Sequence, residues 1–201
     1  MRTVLVLSVL AASLTARADD NRNTAVEART LPPACAQIDW IPADARTMAP
    51  ALEAYTSIAS CIVSERTRAL ALTPDRESMH KLYAAVRQAF DLLDTVIETG
   101  DPAHQIIALR TEANIYTGMT VRMRNSVGYL PKRVSAKEQE EHYAKLRKVD
   151  DMTSAWMARA RAAYRKVDQI AARDPSLERN PIVAAAVRES RIAVPPGVAT
   201  R

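Results

Sequence analysis

Between Ser135 and Asp174 the chain runs for 38 residues without a proline or a glycine. Within that run apolar or small residues return every three or four positions, at Leu146, Val149, Thr153, Trp156, Ala160, Ala163, Val167 and Ile170, with Met157 and Tyr164 beside them. That is the period of an α-helix with one buried face. Its ends are marked as well. Ser135 and Glu138 stand in the S-x-x-E spacing of a capping box, and Asp174 with Pro175 stops the run. A helix over 136–173 would be about 57 Å long at 1.5 Å per residue. Nothing so long lies flat on a small sheet, so the chain must give it helical neighbours, and part of it must protrude or wrap.

The rest of the chain reads the same way. Four Gly against eleven Pro argue against turn-dense sandwiches, barrels and Gly-rich nucleotide folds. Aromatics at 4% leave the core to Leu, Ile, Val, Met and Ala, which suits close helix packing. We therefore expect an all-α antiparallel bundle of four main helices, over about 48–70, 74–99, 102–125 and 136–173, and a short C-terminal helix over about 181–191. Leu52, Tyr55, Ile58, Ala59 and Ile62 form the inward seam of the first helix. Leu82, Val86, Ala89, Leu93 and Val96 form that of the second, where Thr73 is the expected N-cap and Pro74 the first helical residue. Gly100 followed by Asp101 and Pro102 reads as a stop joined to a start. The third helix, with Ile106, Leu109, Ala113, Tyr116, Thr120 and Met123, carries few charges and should be the most buried. Gly118 is the only glycine inside a helix, where it would permit a close crossing. The segment 31–45, with three prolines and Trp40, reads as an extended strap. Helices aligned on Pro74, Pro102 and Pro181 share no pattern of small and aromatic residues, which argues against 34-residue repeats.

The first eighteen residues stand apart. Arg2 precedes an apolar stretch from Val4 to Leu14, and Ala16, Arg17 and Ala18 form an A-x-A cleavage pattern. Eleven apolar residues fall short of the roughly twenty needed to span a membrane, so 1–18 reads as a secretory signal peptide. Residues 19–30 would be a flexible N-terminus, 31–193 a single helical domain and 194–201 a disordered tail. No later segment has transmembrane length, and the expected location is periplasmic or secreted. Cys35 and Cys61, an even pair in an oxidising compartment, are expected to form a structural disulfide. Their number and spacing suit neither zinc, c-type haem nor an iron–sulfur cluster.

Charge is unevenly distributed. Residues 19–100 hold eight basic and twelve acidic side chains, whereas 101–201 hold eighteen and eleven. Along the fourth helix Lys145, Arg159, Lys166 and Arg173 fall on multiples of seven, with Lys148 on adjoining surface. These five are the candidate surface for an anionic partner. Export, the scarcity of aromatics among these residues and the lack of a recognition motif argue against nucleic acid. A protein partner or an anionic envelope surface fits better, and the excess length of the fourth helix could pair two copies of the chain.

No nucleophile elbow, P-loop, H-E-x-x-H or EF-hand loop is present. Of the three His, His80 shares the outward side of its helix with Arg87 and Asp94, and His104 falls at the opposite end of the bundle from His142. No metal or cofactor site is expected from them. The one candidate pocket is polar: Arg110, Asn114 and Thr117 recur at i, i+4 and i+7 on the third helix, where Arg110 would need a carboxylate such as Glu112 or one from another helix. The reading that follows is an exported, non-catalytic helical binding module that works through its fourth helix. The alternative is a small all-helical periplasmic enzyme or ligand carrier with a polar pocket beside the third.

Overall fold

The structure, a computed structural model, describes residues 31–40, 43–46 and 48–194. The expected leader, the 19–30 segment and 195–201 lie outside the described residues. Five α-helices, α1 (Ala49–Arg68), α2 (Arg76–Thr99), α3 (Pro102–Asn125), α4 (Ala136–Arg173) and α5 (Pro181–Ala193), follow one another with no strand among the described residues. α3 and α4 run antiparallel, since Asn114, Tyr116 and Arg124 meet Tyr164, Arg159 and Asp150 in reverse order, and short connections likewise turn α2 back along α1 and α3 back along α2, where Arg66 meets Gln88 and Phe90 meets Tyr116. The all-α bundle read from periodicity is thus the fold.

α3 is the hub, since it touches α1, α2, α4 and α5. Its buried residues accordingly spread around the helix, with Ala108, Ile115 and Met119 joining the expected seam. The seams of α1 and α2 are buried as expected, and on α4 burial runs from Val149 to Ala171. Asp101 caps α3 by accepting from the Ala103 and His104 amides. Ser135 and Glu138 form the full capping box that opens α4, which continues unbroken to Arg173.

Four local expectations are corrected. The N-cap of α2 is Asp75, whose carboxylate accepts from the Ser78 amide at 2.8 Å, so Pro74 lies outside the helix. Thr73 instead donates its hydroxyl to Asp75 and receives no helical amide. A carboxylate at the positive helix end outcompetes a hydroxyl two residues earlier. The strap is not extended: residues Pro33–Trp40 and Ala43–Ala45 form 3-10 turns, because the paired prolines pre-set helical φ and no proline follows until residue 42. Gly118 permits no crossing, for a Cβ there would meet nothing within 4 Å. Gly100 is needed for close approach, since a Cβ would sit 2.5 Å from the Val96 carbonyl oxygen. Val194, placed with the tail, packs against the core.

Cys35 and Cys61 are joined, with Cα atoms 5.8 Å apart, so the first 3-10 turn is pinned to α1. Closing a loop of that length contributes about 3 to 4 kcal/mol in the chain-entropy treatment. Among the described residues, no helix is long and apolar enough to cross a membrane.

Candidate functional site

The register between α3 and α4 decides what α4 offers to solvent. Arg159 meets Tyr116, Tyr164 meets Asn114, and Asp150 meets Arg124. The C-terminus of α3 is therefore level with the region of Asp150, and the two helices finish flush at the other end. All the excess length of α4 lies at its N-terminus. From Ala136 to Lys148 not one residue is buried, an overhang of about 20 Å. The loop 126–135 climbs back along it, turning at Gly128 with φ +80°. Tyr129, 94% exposed, and Tyr143, 47% exposed, stand on this end of the molecule.

The five basic residues expected to face one partner separate into three groups. Lys145 and Lys148 lie on the overhang, exposed and without a carboxylate partner. Arg159 and Lys166 turn toward α2 and α3. Arg159 donates from Nη1 to the Tyr116 hydroxyl at 3.0 Å and lies over that ring. The Lys166 ammonium acts on Asp94 of α2 and Glu112 of α3, two carboxyls that need it. Burial, then the neighbouring Asp94, holds the Glu112 carboxyl above its ordinary range, and burial, then Asp91 and Glu98, does the same to Asp94. Arg173 is exposed at the opposite end of α4, about 42 Å from Lys145 by helical rise. Seven-residue spacing places side chains on one stripe but does not say which stretch of it the neighbours cover.

The candidate pocket residues also divide. Arg110 Nε donates to Glu189 of α5 at 2.5 Å, so its carboxylate comes from another helix and Glu112 faces the α2 side instead. The Tyr164 hydroxyl lies 3.0 Å from the other Glu189 oxygen and 2.8 Å from Asn114 Oδ1. One phenolic proton serves one acceptor at a time. With it on Glu189, the Asn114 amide completes the set by presenting its NH2 to the phenolic oxygen. Burial, together with the Glu189 charge and hydrogen bond, pushes the Tyr164 phenol up to about 12. This cluster ties α3, α4 and α5 together. Thr117 is not part of it: it lines a separate cleft of about 420 Å³ between α3 and α4, beside Arg124, Asp150 and Arg161.

Arg110 and Asn114 also line a cleft of about 380 Å³ between α1 and α3. Its other end is Arg122, which donates to the backbone carbonyl of Thr67 and was not among the residues picked out from sequence. Glu189 and Tyr164 were missed as well. The available signal was that Glu189 is the lone acidic residue of its helix. Among the described residues no cluster of three His, Cys, Asp or Glu could hold a metal ion.

No protein family, curated protein or solved structure matches this chain.

Proposed function

We propose that this chain is an exported, non-catalytic helical module that docks on an anionic envelope surface through the α4 overhang and the loop that precedes it. The observation that carries the reading is the thirteen-residue stretch 136–148, in which no residue is buried and all but His142 and Leu146 are exposed. Residues 126–148 hold six basic side chains, Lys132, Arg133, Lys137, Lys145, Arg147 and Lys148, against three acidic ones, of which Glu138 is occupied in the capping box. Tyr129 and Tyr143 supply the amphipathic rings that favour an interface between water and lipid headgroups. The overhang lacks the continuous apolar stripe that a helical protein partner would need, which is why a charged surface is the better fit. Arg159 and Lys166, though exposed, lie on the packed stretch, where Arg159 is engaged with Tyr116 and Lys166 acts on Asp94 and Glu112. The leader pattern of residues 1–18 and the disulfide both support an oxidising compartment outside the cytoplasm.

Co-sedimentation with vesicles tests this. The disulfide-intact protein should bind vesicles containing phosphatidylglycerol, release them as salt rises and ignore purely zwitterionic vesicles. The double variant Lys145→Glu with Lys148→Glu should bind at least tenfold more weakly with its thermal stability unchanged. Undiminished binding by that variant would refute the reading. A dimer that dissociates in the same variant, with no vesicle binding, would assign the overhang to a second copy of the chain.

A further inference from the structure

The cleft between α1 and α3 has an asymmetry that its structural role does not explain. At one end Arg110 is neutralised by Glu189. At the other, Arg122 has no carboxylate within ion-pair distance among the described residues. It donates to the Thr67 carbonyl, and its Nε is buried without an acceptor. The Nε is closed to solvent, but Arg122 as a whole is only partly buried and lines the cleft, so an anion entering there meets a guanidinium edge with no counter-ion. Between the two arginines, which are about 18 Å apart along α3, the walls are amphipathic, with Val63, Leu82, Ile115 and Met119 alternating with Ser60, Thr67, Thr111 and Asn114.

Gly118 lies midway along this cleft. A glycine inside a helix weakens it relative to alanine, and crowding normally explains why one is there. Here a Cβ would enter open space. The missing side chain therefore makes room for nothing among the described residues, and it widens the cleft at its middle. The volume of about 380 Å³ lies within the range of sites that hold small organic molecules.

We propose that this cleft binds an amphipathic monocarboxylic acid, its carboxylate at Arg122 and its apolar body lying across Gly118 toward Asn114. The hydroxyls of Ser60 and Thr111 lie along the same walls and can serve a polar substituent on the body. This site is independent of the α4 overhang, which lies beyond the end of the cleft on a different helix.

Isothermal titration calorimetry with decanoate, below the concentration at which it forms micelles, tests the proposal on the disulfide-intact protein. Decanoate should bind at least tenfold more tightly than decanol, and decyltrimethylammonium should not bind. Gly118→Leu plugs the cleft from a position with free space, so it should weaken decanoate binding at least tenfold while the melting temperature holds or rises. Arg122→Met should remove the preference for decanoate over decanol. Absence of decanoate binding, equal binding of decanoate and decanol to the unmodified protein, or full binding by Gly118→Leu would each overturn the assignment. Gly118→Leu should leave vesicle binding unaltered, so failure here and failure of the surface reading are separate results.

Discussion

From Val149 to Ala171, α4 buries eight residues against its neighbours and turns Arg159 and Lys166 onto α2 and α3; from Ala136 to Lys148, in the same unbroken helix, it buries none. The two stretches are equally helical, but the overhang is denser in charge and poorer in apolar residues than the packed stretch, which carries Val149, Trp156, Val167 and a run of alanines. The register set by α3 matches that difference: α3 ends where the apolar face of α4 begins. In the packed stretch the exposed Lys166 still acts through space on Asp94 and, together with Arg159, on Glu112, so removing it weakens the positive field that offsets their burial. In the overhang a basic side chain answers only to solvent and to whatever docks there. The comparison separates residues that hold the bundle together from residues that the bundle merely presents.

The largest expected difference lies between two aromatic truncations. Trp156→Ala removes a side chain that is 7% exposed and should cost about 3 to 5 kcal/mol, read by urea denaturation. Tyr143→Ala, in the overhang, should change stability by less than about 0.5 kcal/mol. Comparable losses would mean that the overhang belongs to the cooperative core and would dissolve the distinction.

Tyr164 marks the packed stretch by its pH response. Its phenol is held at about 12 in the folded protein, above the unfolded value near 10. The folded state therefore keeps the proton more tightly, and the associated stability is fully present below about pH 10 and is lost as pH rises toward 12. Tyr164→Phe should lower stability at neutral pH by about 1 kcal/mol, the scale of one hydrogen bond, and should flatten the decline in melting temperature between pH 10 and 12. An unchanged alkaline profile in the variant would show that another group dominates there.

A smaller contrast concerns two lysines of one helix. Lys166→Met should lower the melting temperature at pH 7, because Glu112 and Asp94 lose the charge that offsets their burial. Both carboxyls are held above their ordinary range, so they weaken the fold as pH rises through their folded values. Below about pH 4, where the unfolded chain is protonated too, the effect of the substitution should fade. Lys145→Met should produce no pH-dependent change at all. Matching pH profiles for the two variants would show that Lys166, exposed like Lys145, has no influence on Glu112 and Asp94.

The bounds of α3 and α4 were legible because their ends are written in local chemistry: Asp101 before Pro102, Ser135 with Glu138, Asp174 before Pro175. The start of α2 was not, since Thr73 and Asp75 flank Pro74 and either could cap. Only the carboxylate's reach to the Ser78 amide decides between them. The i, i+4 spacing of Arg110 and Asn114 did identify two residues that meet in one cluster, but their partners Glu189 and Tyr164 are 79 and 50 residues away. Thr117 lay close on the helical wheel and still fell into a different cleft, because α4 packs along the line between them. Arg122 and Gly118 were harder still. A sequence shows an arginine and a glycine, and it does not show that one lacks a carboxylate or that the other opens onto vacant space.

The smallest expected effect sharpens the comparison most, because it asks where α4 stops being part of the fold. Ser135 accepts from the Glu138 amide while Glu138 accepts from the Ser135 amide, a reciprocal cap at the far tip of the overhang. Loss of such a cap costs about 1 kcal/mol when the helix end is coupled to the rest of the structure. Here the tip touches no buried residue, so that free energy should be lost locally and not globally. Ser135→Ala should leave the urea midpoint nearly unchanged and speed amide exchange at residues 137–141 about fivefold, with no change from Val149 onward. If exchange instead rose along the whole of α4, or the midpoint fell in proportion to the cap, the helix would be one cooperative unit. The overhang would then be as much a structural member as the stretch that packs on α3, and its free basic residues could no longer be tested apart from stability.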